Sequence, residues 1–327
     1  MTSDTRGAWA YPATVQILDA SDQGFDVAGC LERDEFFWLD VPSPTDEQID
    51  QLALQLGWHP LAVEDVKEFD QRPKLDDYEQ HALLVYFGVD PSEERLIEVL
   101  MFISGEWLVT IHRDACHALD QLRERMRAGE PRTEEEIVYR VLDVLTDSFL
   151  PVLDRVDDEI DLLEEAVVDN AHSDQIGEVM ALKRRVGPIR RVALVQRTLF
   201  HSVTDVIDRM PGLERDEARN EFRDIADHLA HIADMFDGFR DRLGSTLELY
   251  ATQNANRLNE VTERLTLVAT IFLPLSFIVG FFGQNFGWLT SHIDSLTTFL
   301  VWGVGGLVVP VAVMVTLFAR AGWLRRR

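Results

Sequence analysis

The chain has 327 residues, 46% of them hydrophobic and 27% charged, which gives room for two or three domains and is too apolar for a disordered polypeptide. Its 57 Asp+Glu against 31 Lys+Arg set a formal charge of -26, a field that repels polyanions, argues against nucleic acid as a partner and favours cations. Two cysteines, Cys30 and Cys116, make neither a disulfide framework nor a zinc site and read as reduced thiols.

Residues 1–132 read as a mixed α/β domain. Val15–Asp19, Phe36–Leu39, Leu83–Val89, Leu96–Ile103 and Trp107–His112 are short runs rich in β-branched and aromatic residues, bounded by Gly, Pro and Asp, and are predicted strands. Between them, TDEQIDQLALQLG predicts a helix. Thr45 and Gln48 form a capping box at its start, and Gly57 ends it. Ala115–Ala128 is a second amphipathic helix. His59 and His112 stand alone and read as structural.

Residues 133–264 read as a helical stalk region. Thr133–Val168 keeps apolar residues near three and four apart, with Pro151 placed to bend it. Ser173–Met210 is a second helical stretch, with a disturbance expected at Gly187-Pro188. Pro211-Gly212 breaks it. The acidic run Asp154–Asp169 is expected to be a solvated face. From Leu213 to Phe282 helical spacing persists, and ~70 residues at a rise of ~1.5 Å would span roughly 105 Å.

Leu265–Phe282 and Thr298–Ala319 are apolar runs long enough to cross a bilayer, and Asp294 is the only Asp, Glu, Lys or Arg from Leu265 to Ala319. A pair of buried core helices is the alternative. Residues 265–282 and 298–319 are taken as transmembrane helices, 283–297 as an external loop and 320–327 as a basic cytosolic tail. Arg257, Arg264, Arg320 and Arg325–Arg327 flank the runs, while the 283–297 connector has no Lys or Arg. The positive-inside rule then places both termini in the cytoplasm of a multi-pass cytoplasmic (inner) membrane protein. The opening MTSDTRGAWAYP lacks an apolar h-region, so targeting is expected to rest on the C-terminal hairpin. Trp288 and Trp323 read as interface anchors, Pro274 invites a kink, and Gly303, Gly305 and Gly306 allow close packing.

Gly283-Gln284-Asn285-Phe286 follows the first span. With FFWLDVPSPTDEQIDQLALQLGWHPLAVEDV, QRPKLDDYEQHALLVYFGV, NRLNEVTERLTLVATIFLPLSFIVGFFGQNF and the ending RAGWLRRR, it resembles the CorA-type divalent metal ion transporters. The likeness runs in order along essentially the whole chain. It implies an α/β cytosolic domain, a long helical stalk and two C-terminal transmembrane helices, assembled as a homopentameric funnel in membrane lipid with the first span lining the pore. The family signature is Gly-Met-Asn. Gln284 replaces the methionine, a position that also departs in zinc transporters of the ZntB type.

The resemblance makes Gly283, Gln284 and Asn285 a selectivity filter. Five neutral carboxamides from Asn285 would accept hydrogen bonds from the water shell of a hard divalent ion. Read alone, Gly-Gln-Asn is equally a helix-end turn in which Gly283 and Asn285 tolerate left-handed backbone. Asn259, Thr262, Thr266, Ala269, Leu273, Ser276 and Gly280 share one helical face, a pattern that also fits close helix packing. By resemblance Asn259, Thr262, Leu265, Leu273, Ser276 and Asn285 match pore-facing positions, with Leu265 and Leu273 as constrictions that gate by dewetting. On the cytosolic side, Asp90, Asp143 and Asp224 match carboxylates that sense the metal; the alternative is ordinary solvated surface.

The function this implies is transport of divalent cations, Mg2+ first with Co2+ and Ni2+ as surrogates. The same ions serve as substrate and possible regulator. The runners-up are a ZntB-like Zn2+ transporter and a transport-inactive membrane scaffold or sensor. HEXXH, GxGxxG and Walker sequences are absent, so no enzyme is predicted.

Overall fold

The computed structural model describes residues 16–19, 27–32, 36–127, 134–169, 171–213, 215–284, 287–292 and 295–320. They divide into two units, Met1–Leu249 and Tyr250–Arg327.

In the first unit, strands β1 (Gln16–Asp19), β2 (Phe37–Pro42), β3 (Lys74–Asp77), β4 (Ala82–Asp90), β5 (Arg95–Ile103) and β6 (Trp107–His112) form one mixed sheet in the order β1-β2-β6-β5-β4-β3. β1, β2 and β6 run parallel; β6, β5, β4 and β3 are antiparallel neighbours. β3 is absent from the sequence expectation. Its KLDD carries a single buried apolar residue, Leu75, and the strand exists because it pairs with Ala82–Val85 as a short, charged edge.

The period-2 alternation of the strands sends side chains to two covered faces. On one, helices α2 (Asp46–Leu56) and α3 (Pro60–Glu68) lay Ile49, Leu52, Ala62 and Val66 against Phe37, Leu39, Leu83 and Val109. The short α1 (Val27–Glu32) adds Val27 and Cys30 to the same cluster. The predicted capping box on α2 is present. Gln48 N donates to Thr45 Oγ1 at 3.3 Å, Thr45 N donates to Gln48 Oε1 at 2.8 Å, and Gly57 ends the helix at φ +67°. The sequence reading had no helix at 60–68. Its start is fixed by His59, whose Nδ1 accepts from Leu61 N at 3.2 Å, and by Pro60 in the first turn.

On the opposite face, α4 (His117–Arg127) and α5 (Glu134–Asp147) pack Leu119, Leu122, Ile137, Val141 and Leu145 against Trp38, Leu84, Tyr86 and Met101. The helical stretch predicted over 133–168, with a bend at Pro151, is two helices, α5 and α6 (Leu150–Asp169). The break falls before Pro151, where Ser148 Oγ accepts Val89 N at 2.8 Å and itself donates to Leu145 O at 2.5 Å. Likewise 173–210 is two helices, α7 (Ser173–Leu199) and α8 (Val203–Asp208). The disturbance expected at Gly187-Pro188 does not end α7, since Pro188 lies on its exposed side, where water can satisfy the freed carbonyl. After the Pro211-Gly212 turn comes α9 (Arg215–Phe282), a single helix of 68 residues that includes Pro274.

A third apolar cluster joins α6, α7 and α9 through Val156, Ile160, Val186, Ile189, Phe236 and Phe239. The acidic run on α6 is not simply solvated, because arginines of the neighbouring helices neutralise part of it. Arg242 of α9 meets Asp157 at 2.6 Å, Glu164 at 2.8 Å and also Asp161, and Arg185 of α7 meets Glu159 at 2.5 Å.

The second unit holds the remainder of α9, α10 (Gly287–His292), α11 (Leu296–Thr298), a π-helical segment Phe299–Val304 and α12 (Gly305–Arg320). Two helices here are long and apolar enough to cross a membrane, with none of their most apolar window buried inside the chain. Of the glycines of the second span, Gly303 lies in the π-helical segment, where the Phe299 ring stands 3.3 Å from the point its Cβ would occupy, and Gly305 and Gly306 open α12. Trp288 is exposed and stacks on His292 at 4.4 Å. Trp323 is outside the described residues.

Candidate functional site

Two of the three predicted carboxylates lie at a cavity of 330 Å³ whose lining includes Asp90, His117, Asp143 and Asp147. Asp90 ends β4 and is tied into the β4–β5 turn, accepting from Ser92 Oγ at 2.6 Å and Ser92 N at 2.7 Å. Those bonds to the ionised form hold its carboxyl below the ordinary value. Asp143 sits on α5, where burial and then the neighbouring Asp147 push its pKa up, with His228 opposing them.

Asp147, one turn on, and His228 on α9 were not singled out in the sequence. Oxygens of Asp143 and Asp147 and a ring nitrogen of His228 all lie within 4.8 Å of one another, a three-donor set spanning two helices. His228 Nδ1 is 3.5 Å from Asp147 Oδ1, and its Nε2 is 3.8 Å from Asp224 Oδ1. Asp224 accepts the Tyr139 hydroxyl at 3.2 Å and does not line the cavity. Of the three predicted carboxylates, the fold therefore brings Asp90 and Asp143 to one cavity and links Asp224 to it through His228. The signal that could have found the rest is a pair of i, i+4 spacings, Asp143/Asp147 and Asp224/His228, each presenting two donors on one helical face. Such a set, two carboxylates and an imidazole, suits a divalent cation with mixed O/N preference.

The face of α9 between Asn259 and Gly280 is helical throughout and exposed or half-exposed. Thr262 Oγ1 donates to Leu258 O at 2.8 Å, Thr266 Oγ1 to Thr262 O at 2.8 Å, and Thr270 Oγ1 to Thr266 O at 2.7 Å. Leu265 and Leu273 are 68% and 75% exposed, so no described residue covers them. Ser276 lies one turn beyond Leu273 on the same helix.

Helix α9 ends at Gly283, whose N–H donates to Val279 O at 2.9 Å; Gln284 N then donates to Phe281 O at 3.2 Å. The alternative of a left-handed Gly283 is not met, because the glycines with positive φ among the described residues are Gly57 and Gly212. What favours glycine at 283 is proximity: a Cβ there would stand 3.0 Å from Val279 O. Gln284 is exposed. Asn285 lies outside the described residues.

Comparison with known proteins matches residues 33–320 to the model of the CorA-like Mg2+ transporter protein family. The chain belongs to that family. The cobalt/magnesium transport protein CorA of Thermotoga maritima is 30% identical over 276 residues, covering 82% of this chain and 77% of the relative. The solved CorA magnesium transporter of Methanocaldococcus jannaschii matches the fold with a TM-score of 0.75 at 22% identity, covering 88% and 90% of the two chains. The ZntB cytoplasmic domain of Vibrio parahaemolyticus matches with a TM-score of 0.58 at 10% identity over 67% of this chain and 88% of its own. This CorA-family chain is thus a membrane protein with two C-terminal transmembrane helices, and its activity is divalent metal ion transport, not enzyme catalysis.

Proposed function

We propose that this CorA-family chain assembles as a homopentamer in the cytoplasmic membrane and carries hydrated Mg2+ through a pore lined by the first span. Asn259, Thr262, Leu265, Leu273 and Ser276 face that pore, and Gly283, Gln284 and Asn285 form its external filter, with both termini in the cytoplasm. The observation that carries the reading is α9 itself: one helix bears Asp224 and His228 at the carboxylate cluster and, further along, the apolar segment of the first span. Magnesium prefers oxygen ligands and dehydrates reluctantly, so a ring of neutral amide oxygens at Asn285 suits an ion that keeps its water. The cobalt/magnesium activity named for the Thermotoga relative supports the same choice.

In the cytosol, Asp90, Asp143 and Asp224, together with Asp147 and His228, would bind the transported ion when it is plentiful. Repulsion among the carboxylates is relieved by the cation, and its departure favours the open pore. A ZntB-like Zn2+ reading draws on two features: Gln284 at the methionine position and a ring nitrogen in the donor set.

Competitive uptake of Mg2+ and Zn2+ into proteoliposomes, with and without a pH gradient, separates these readings. Mg2+ flux independent of the gradient is expected. Flux of Zn2+ alone transfers the assignment to zinc, and silence for every divalent ion sinks both. Asn285→Ala should abolish flux with the oligomer intact by size-exclusion chromatography.

A further inference from the structure

We propose that the Glu134 carboxyl is a proton-sensitive latch on the turn leading into α9, closed while it carries its proton and loosened when it loses it. Three segments meet there: the start of α5 at Glu134, the β5–β6 turn at Gly105, and the Pro211-Gly212 turn. The two glycines meet backbone to backbone. A Cβ on Gly105 would stand 3.3 Å from Gly212 Cα, and a Cβ on Gly212, at φ +84°, would lie 2.7 Å from Glu134 Oε2 and nearer still to Oε1. The carboxyl therefore lies directly over a contact that has no room for a side chain.

Among the described residues, Glu134 Oε1 is buried with no hydrogen-bond partner. The described charges acting on it, Glu135 on α5 and Glu106 on the β5–β6 turn, are both negative. Pro211, Gly212 and Leu213 bring none. Arg209, at the end of α8, donates to Leu75 O, and Arg140 of α5 pairs with Glu136 at 2.7 Å. Glu221 on α9 adds another acid facing Glu135 and Glu136. Burial, then Glu135 and Glu106, push the Glu134 pKa up to about 8. A neutral carboxylic acid fits this setting, whereas an unpaired buried carboxylate is strongly disfavoured.

Because the folded pKa lies above the unfolded value of 4.5, the stabilisation is complete below that value and is lost as pH rises to about 8. Hydrogen exchange read by mass spectrometry on the full-length protein in detergent, corrected for intrinsic rates, tests this at about pH 6 and about pH 9. In the native protein, opening of residues 103–107 and 209–213 should rise about tenfold or more between the two pH values; in Glu134→Gln both segments should stay closed. An identical pH response in the two proteins, or segments already open at the lower pH in Glu134→Gln, overturns the latch. Glu106→Gln provides a second route if the first variant folds poorly. Removing one negative neighbour lets Glu134 give up its proton at lower pH, so the opening midpoint must move downward in pH, and an unmoved midpoint overturns the latch equally.

Discussion

In the first unit Trp38, Phe149, Phe222 and Phe236 are fully buried, whereas in the second Phe272, Phe277 and Trp302 are 64%, 73% and 65% exposed. The aromatic residues are of the same type, yet only the first set is buried among the described residues. The first unit derives its stability from three internal apolar clusters. The second exposes its apolar surface to whatever surrounds it, lipid or further copies of the chain. A single protomer is therefore half of a stability problem, and the same substitution should have unequal consequences in the two units.

Phe236→Ala and Phe277→Ala put that contrast to its strongest test. The first should cost about 3–5 kcal/mol of unfolding free energy and the second under about 1 kcal/mol, by denaturant titration of the first unit's aromatic signal in detergent. Equal losses would remove the distinction. Next comes the buried pair Asp40 and His112, 3.3 Å apart, with Arg123 and the Thr110 hydroxyl (2.6 Å) also on the Asp40 carboxylate. Burial lowers the His112 pKa, but the attraction of the Asp40 carboxylate 3.3 Å away outweighs it and the result is raised. The stability it supplies is complete below an unfolded value of about 6.5 and is lost as pH rises through the folded pKa. Asp40→Asn should cost about 3 kcal/mol at about pH 6 and flatten the thermal midpoint above it.

Arg242→Ala removes one guanidinium from three carboxylates of α6. With Arg242 a third exposed, about 1 kcal/mol is expected, shrinking as salt is raised in the same melt. The smallest effect is at His81. It is buried, neither ring nitrogen has a hydrogen-bond partner among the described residues, and burial followed by His59 lowers its pKa. Its contribution is present above about 6.5 and lost as pH falls towards the folded pKa, so His81→Phe should lessen the acid-side drop of the midpoint.

Sequence alone resolves those features whose cause is local. The Thr45–Gln48 box, the Gly57 stop, the Pro211-Gly212 break and the first apolar span each depend on neighbours within a few residues, and each is found in the structure. The α5–α6 break is legible only in part: Pro151 marks the place, but the turn itself begins at Ser148, whose hydroxyl is engaged by Val89 of β4, 59 residues away. β3 depends on its hairpin partner more than on its own composition. Asp147 and His228 become neighbours only when α5 and α9 pack, so the cluster they form had no periodicity to announce it, although its two halves did. The Arg242 contacts likewise convert part of an apparently solvated acidic face into an interhelical joint.

Three threonines of α9, one just before the first span and two inside it, carry one last consequence. Thr262, Thr266 and Thr270 each give the hydroxyl proton to their own backbone, leaving the oxygen with lone pairs alone on its outer side. Thr262 lies on the pore line proposed above. A hydrated metal presents outward-pointing water hydrogens and would find an acceptor there; the waters around chloride present the reverse polarity and would find no donor. A pore lined in the proposed way would thereby favour one sign of passenger at Thr262 using a hydroxyl that carries no formal charge.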